Sequence, residues 1–482
     1  MWRDELLTFG IAASSPSLWT LWFNLKYEGH PAVWYVLVWL ITRATSDPIW
    51  MQILHIGLAI TVWSIIYLWS PFGRLEKLLL LLSYFLFFEY FVISRSYVLI
   101  ALIAFSFILL RERPSRPEFL LWLLLGLLAN VHMLGAIWSM VLAVMLAIDD
   151  MRRRSVPVAA AAVYLILLAF AVWTMQPPPE FALSSPVIGF DIARLNPDLA
   201  TPIGAFVPLS LSSIRGAIAF IAHPGTASIP DYSNVTAVGD IVGFAQTDTG
   251  HPIRLALVYA TPIFACWLVT RNPLLVLEFA LVYLGIVLFE NIWNFPGVDR
   301  HHGIVFLAMI AAAWSARSRR SPTIRQRWIF AAILIVNGCA GVLTLASELR
   351  PFSEGYDTAS WIKQNNLENA FLIGSHDAQV SSVVGYLGRP VYYLECECYA
   401  PLGIWDGNRV GRLSAEEFTA RLAKTVALAA GRDVILVRDR PVTPNDLNPA
   451  ASNISATLLK SFTNAMTDEN FWIYRLNARQ AP

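Results

Sequence analysis

Residues 118–148 read EFLLWLLLGLLANVHMLGAIWSMVLAVMLAI, a run whose only formal charge is the opening Glu118. A membrane-crossing helix needs about 20 apolar residues, so this run is too long for one crossing and fits two short ones. Arginines stand at both ends, Arg111, Arg113 and Arg116 before it and Arg152, Arg153 and Arg154 after it. Lys and Arg in short loops mark the cytoplasmic side of a membrane protein. The run therefore goes out and comes back, turning near Asn130-Val131-His132, and Asn130 and His132 fall on the external side.

The rest of the chain extends this pattern. Of 482 residues, 56% are hydrophobic and only 14% charged, which excludes a soluble protein of ordinary composition. Further apolar runs lie near 49–69, 78–93, 96–110, 156–174, 253–270, 274–291, 303–316 and 328–346. Arg74 and Lys77, Arg271, and Arg317, Arg319, Arg320, Arg325 and Arg327 extend the cytoplasmic set. By parity, Arg95, the segment Asn291 to His302 and everything before residue 49 lie outside. The first residues then sit outside with no apolar segment to carry them there, so a first transmembrane helix is expected upstream of Met1, unless the N-terminus is translocated by itself.

The sequence divides into a juxtamembrane opening segment (1–48), a first transmembrane module (49–174), a long external loop rich in Pro, Gly and Ser (175–252), a second helix group (253–348) and an external soluble domain (349–482). In the opening segment, residues 15–27 put Leu18, Trp22 and Leu25 on one helical face with two tryptophans suited to the headgroup belt, so this piece should lie on the membrane. Residues 31–43 are apolar but short for a crossing. In the last domain, β-type runs 371–374, 390–394 and 434–437 alternate with helical stretches near 357–365, 377–387 and 414–429, which predicts an α/β fold with a small, mainly parallel sheet. It carries no P-loop or dinucleotide fingerprint.

A net charge of +1 lacks the clustered basic excess that phosphate backbones require, so nucleic acid is excluded as a partner. Cys266 and Cys339 lie in apolar runs, and Cys396 and Cys398 are too close in sequence to bridge without strain, so no disulfide framework is expected. The unusual polar groups gather on the external face. Asp4 and Glu5 are carboxylates beside a bilayer, costly unless exposed, paired or used, although a frayed terminus would also expose them. Glu28 and His30 close the opening segment. Arg95 and Tyr97 follow Glu89 at the outer end of a run, where Arg95 reads either as a snorkelling anchor or as the ion-pair partner of Glu89. His132 reads as a polar turn residue or a site residue. Asp299, Arg300, His301 and His302 concentrate against a membrane end, where an arginine fork suits phosphate or carboxylate. Asp299 with the two histidines admits a divalent metal ion, in a spacing that is not specific for one.

The order Asp4-Glu5, Gly29-His30-Pro31-Ala-Val-Trp-Tyr35, Ser94-Arg95-Ser-Tyr97 and Asn130-Val-His132 resembles the first module of the GT-C glycosyltransferases. The closest resemblance is to the dolichyl-phosphate-mannose protein mannosyltransferase-like and aminoarabinose-transferase-like group, glycosyltransferase family 39. Pro351 to Tyr356, Trp361-Ile-Lys and Tyr386-Leu-Gly-Arg resemble its bacterial members with an external α/β domain. Ala32 stands where a second proline often follows the His-Pro element. The resemblance implies a multi-pass enzyme of the bacterial inner membrane that moves a sugar from a polyprenyl-phosphate donor to a glycan, lipid or protein acceptor on the external face. It implies Asp4 as general base with Glu5 as neighbour. His30, Arg95, Tyr97, Arg300 and His301 are then expected at the donor phosphate, and Glu28, Glu89, Asn130, His132, Asp299 and His302 lining the site. No cofactor beyond a divalent metal ion is implied. A transporter or lipid flippase is the alternative, but the sequence has no internal repeat or matched pair of broken helices to support it.

Overall fold

A computed structural model describes residues 1–154, 157–178, 251–292, 299–344, 350–403, 409–429, 431–443, 446–447 and 454–478. The long loop expected at 175–252 lies almost wholly outside the described residues. The chain is a polytopic helical membrane protein with a C-terminal α/β domain. Among the described residues, five helices are long and apolar enough to cross a bilayer: α4 (Ile49–Trp69), α8 (Met133–Arg152), α9 (Val158–Met175), the stretch Pro273–Glu290 of α11 (Pro273–Ile292), and α13 (Ile324–Thr344). They present Ile53, Ile56, Ile60, Leu165, Ile166, Leu277 and Leu281 outward, as helices bathed in lipid do.

The remaining bundle helices are α1 (Arg3–Ser14), α2 (Leu18–Leu25), α3 (Val33–Ala44), α5 (Arg74–Leu81), α6 (Tyr97–Arg111), α7 (Glu118–Ala129), α10 (His251–Thr270) and α12 (Asp299–Arg319). Helix α12 is buried all round from Ile304 to Trp314 and forms the centre of the bundle. The hairpin expected in 118–148 forms as α7 and α8, and its turn is held by side chains. The Asn130 amide donates to the carbonyls of Gly126 (2.8 Å) and Leu167 (2.7 Å), and His132 Nδ1 accepts the Leu134 N–H as the cap of α8.

Three expectations need correction. The run 78–93 is not one helix: α5 ends at Leu81 and a single π-helical stretch, Tyr84–Glu89, follows before the chain turns at Ser94. In α2 the buried face is Leu21 and Leu25, whereas Leu18 is exposed. The helix starts at Leu18 with Ser17 as its cap, and the edge-on contacts of Trp22 with Phe170 (5.4 Å) and Trp173 (6.2 Å) fix its rotation against α9. Cys396 and Cys398 form a disulfide. Glu397 between them adopts a left-handed backbone (φ 50°), which brings the two Cα atoms to 5.2 Å, inside the bridging range.

The C-terminal domain contains α14 (Gly355–Gln364), β1 (Phe371–Ser375), α15 (Asp377–Leu387), β2 (Val391–Tyr393), β3 (Cys398–Ala400), α16 (Ala415–Leu428), β4 (Val434–Arg438), β5 (Ile454–Phe462) and β6 (Phe471–Ala478). The sheet order is β3-β2-β1-β4-β6-β5. Its centre, β2-β1-β4, is parallel as expected, but β3, β5 and β6 pair antiparallel, so the sheet is mixed and twice as wide as the three runs implied. Helices α14 and α15 pack on one face with Val380, Val383, Leu372 and Ile435, and Phe418 and Leu422 of α16 pack on the other with Ile373 and Leu436.

Helix α1 joins the two parts. Trp2 packs edge-on against Phe352 (5.2 Å), the Arg3 N–H donates to Glu469 (3.0 Å), and Leu6 lies so close to Gly385 of α15 that a side chain there would meet it at 3.0 Å. Near Asp4, the α1 face and the start of α6 mark one end of the bundle. Arg111 closes the other end of α6, about 22 Å away at 1.5 Å per residue. Three arginines there are paired: Arg111 with Glu278 (2.9 Å), Arg317 with Glu76 (2.5 and 2.8 Å) and Arg319 with Glu112 (2.7 Å).

Candidate functional site

The first turn of α1 carries both expected carboxylates, and they do different things. Asp4 Oδ2 receives Arg95 Nη1 at 2.5 Å and lies 3.3 Å from Arg300 Nη2. Among the described residues, its other oxygen has only the Arg3 Nε at 3.9 Å. Burial alone would push the Asp4 pKa up, but the charges of Arg95, Arg300 and Arg3 outweigh it and hold the carboxyl below its usual range. Glu5, by contrast, is buried at 4% exposure with both oxygens committed to backbone. Oε2 accepts the Trp2 N–H (3.1 Å) as a capping box for α1, and Oε1 accepts the Ser94 N–H (2.7 Å). Glu5 therefore pins α1 to the segment that carries Arg95.

Arg95 reaches Asp4 from the turn before α6, and Arg300 from the first turn of α12. The Tyr90 hydroxyl sets the latter by donating to the Arg300 carbonyl (2.6 Å). Gly303, one turn on, has no room for a side chain against Phe85 and Tyr90, which explains a glycine there. The expected ion pair between Glu89 and Arg95 does not form. Glu89 accepts instead from the Tyr84 hydroxyl (3.1 Å), because the π-helical turn directs it back along its own segment.

Four aromatic rings sit beside the Asp4 pair. His132 lies 5.4 Å from His30, 5.8 Å from His301 and 5.0 Å from Tyr97 between ring centroids. Because His132 Nδ1 accepts from Leu134, its Nε2 carries the proton and faces the Tyr97 hydroxyl at 3.3 Å. His30 Nδ1 donates to the Glu28 carbonyl (2.6 Å), leaving Nε2 bare. Gly29 makes this turn possible with a left-handed backbone (φ 64°). Burial first, then the nearby Arg95 charge, pulls His30 down to about 4, and His132 is depressed by burial, His30 and Arg95. Burial and the arginine charges disfavour the protonated form of both imidazoles. The half-buried Glu28 goes the other way, pushed up to about 7 by burial and by the Asp4 charge.

The remaining expected residues separate from this cluster. Asn130 is the buried clamp of the hairpin turn, and its carbonyl receives Val33 N–H at the start of α3 (3.0 Å). His302 turns away to Glu290 (3.3 Å), as adjacent positions on a helix must diverge by about 100°. The Asp299 side chain lies outside the described residues. Among the described residues no three His, Cys, Asp or Glu side chains are placed to hold a metal ion.

Sequence reading missed the other wall. A narrow cleft of about 50 Å³ runs from Arg3, Asp4 and Leu7 to Asp377, Ala378 and Ser381 at the start of α15, closed by Gly403 and Arg409. Asp377 and Arg409 form a two-pronged pair at 2.6 Å on both prongs. The available signal was position: Asp377 opens a helix directly after the C-terminal end of a parallel strand, where α/β sheets place their ligands.

No family model and no curated protein matches the chain. Among solved structures, the crystal structure of ArnT from Cupriavidus metallidurans in the apo state aligns with 95% of this chain and 83% of its own, at 15% identity and a TM-score of 0.33.

Proposed function

We propose that this protein is a membrane-embedded glycosyltransferase of the GT-C type, which moves a sugar from a polyprenyl-phosphate donor to an acceptor hydroxyl on the external face, with inversion. The observation that carries the reading is the Asp4 carboxylate held between Arg95 and Arg300 at the floor of a cleft shared by the bundle and the C-terminal domain. Two guanidiniums against one carboxylate leave a net positive charge, which suits a lipid phosphodiester. A site of this kind has no use in a scaffold.

In the proposed step, the acceptor oxygen bonds to the anomeric carbon as the carbon–phosphate oxygen bond breaks. The bonding electrons leave with the phosphate, and the acceptor proton passes to Asp4. Oδ2 is held by the arginines and Oδ1 is free of close partners, so Oδ1 is the proton acceptor. Arg95 and Arg300 stabilise the departing phosphate, contacts worth about 2 to 4 kcal/mol each by analogy with an oxyanion donor. Tyr97 and the neutral imidazoles of His30, His132 and His301 contribute hydrogen bonds and apolar surface but no charge. Glu5 is a positioning residue. The C-terminal domain lies on the external side, over the cleft that admits the acceptor.

Purified protein in liposomes loaded with a radiolabelled polyprenyl-phosphate sugar tests the reading. Acceptor-dependent release of polyprenyl phosphate is expected. Movement of the labelled lipid between leaflets with no donor consumed would replace the transferase with a flippase.

A further inference from the structure

The end of the bundle remote from Asp4 holds a second, larger site. An open cavity of about 420 Å³ lies where the chain leaves α6, α8 and α12, lined by Arg111, Arg113, Arg116, Arg153 and Arg319 against only Glu112 and Asp149. Three of these arginines are accounted for. Arg111 is held by Glu278 (2.9 Å) and Asp149 (3.5 Å), Arg116 by Asp150 (3.4 Å) and Arg319 by Glu112 (2.9 and 2.7 Å). The guanidiniums of Arg113 and Arg153 have no ion pair among the described residues. The Nε–H groups of Arg111 and Arg116 are buried with no acceptor.

Arginines at this end satisfy the general bias of cytoplasmic loops, and Arg113 and Arg153 are exposed whereas Arg111 is buried and Arg116 half-buried. Here they converge from three separate elements on one cavity. Arg116 is held below its usual range by burial and next by the charge of Arg153, which Asp150 and Asp149 offset only in part. Buried N–H groups without acceptors and uncompensated like charges are both unfavourable, and a single anion would relieve both.

We propose that this cavity is a phosphate-binding site, with Arg113 and Arg153 as its charge partners and the Nε–H groups of Arg111 and Arg116 as further donors. Two unpaired positive charges match one phosphate group, and arginine forks match its oxygens. Helix Met133–Arg152, long and apolar enough to cross a bilayer, ends at this cavity, so an anionic phospholipid headgroup is one source and soluble phosphate the other. The site is separate from the proposed transferase centre and does not depend on it.

The test uses the full chain in nanodiscs of phosphatidylcholine with and without phosphatidylglycerol, counting retained phosphatidylglycerol by native mass spectrometry. A parallel titration of inorganic phosphate follows the melting temperature in phosphatidylcholine alone. Retained phosphatidylglycerol identifies the headgroup, and stabilisation by millimolar phosphate identifies the soluble source. The Arg113→Ala/Arg153→Ala variant should weaken whichever is seen about thirtyfold, since each arginine near a lipid surface is worth about fivefold. Both residues are unpaired, so the fold should tolerate the change. Arg113→Lys/Arg153→Lys, which keeps the charge and loses the fork, should recover part of the binding. Equal weakening by Arg320→Ala/Arg325→Ala, two exposed arginines outside the cavity, would reduce the effect to general surface charge and overturn the proposal, as would absence of binding from both sources.

Discussion

The Asp4 carboxylate and the Arg95 guanidinium, 91 residues apart in sequence, meet at 2.5 Å where α1 crosses the start of α6. The contact depends on Glu5, whose second oxygen takes the Ser94 N–H and so sets the turn that aims Arg95. Adjacent carboxylates thus divide into one that faces the cleft and one that builds it.

Asp4→Asn keeps shape and removes the basic oxygen, so sugar transfer should fall by about 10² to 10⁴ while donor lipid still binds. Arg300→Ala should weaken both donor binding and rate, because it removes a charge and not a proton acceptor. The measurements are single-turnover transfer and donor-lipid Kd. Near-normal transfer by Asp4→Asn would move the base elsewhere.

Glu5→Ala should show a different signature. It leaves two backbone N–H groups without their acceptor and should destabilise the protein by roughly 1 to 3 kcal/mol, with the loss of rate tracking the loss of folded protein. Glu5→Gln, which keeps an amide oxygen, should recover most of the stability. If Glu5→Gln were fully stable yet as inactive as Asp4→Asn, the positioning role would be wrong.

What could be read from the sequence divides along physical lines. The hairpin at 118–148 was legible because arginines flank it and only Asn130-Val131-His132 can turn there. Asp4, Arg95 and Arg300 were legible as charges with no reason to stand near a bilayer. Their pairing was not: Glu89, the partner expected for Arg95, is turned to Tyr84 by a π-helical stretch that periodicity does not show, and Arg95 meets Asp4 instead. Strands β5 and β6 were missed because their antiparallel ladder places Lys460 and Arg475 on an edge hairpin whose pattern is half polar. Asp377 had a signal in its place after a parallel strand, but Arg409 had none, and what brings both beside Asp4 is the packing of α15 against α1.

Topology can be checked by labelling. Of the two free cysteines, Cys339 is exposed and should first be replaced by Ser, whereas Cys266 is buried. With that background, a cysteine at the exposed Glu416 should react with an impermeant maleimide on intact cells and one at Ser318 should not. The reverse pattern would place the C-terminal domain, and with it Asp4, on the cytoplasmic side.

The pH dependence separates Asp4 from Glu28. With its pKa held down by Arg95 and Arg300, Asp4 is ionised throughout the neutral range, so a reaction that uses it as base should run at a constant rate from about pH 5 to 8. Glu28, pushed from 4.5 to about 7, keeps its proton in the folded chain where the unfolded chain has lost it. Folding then binds an extra proton at Glu28 between those values, a contribution to stability that declines as pH rises through that window, alongside a like one from Glu469 and an opposing one from His30. Glu28→Gln should remove the Glu28 contribution, read as the difference in thermal unfolding between wild type and variant across that window, and change transfer by less than about threefold. A rate that instead climbs with a midpoint near 7 in the wild type, and loses that climb in Glu28→Gln, would make Glu28 the base and leave Asp4 as the anchor of the two arginines.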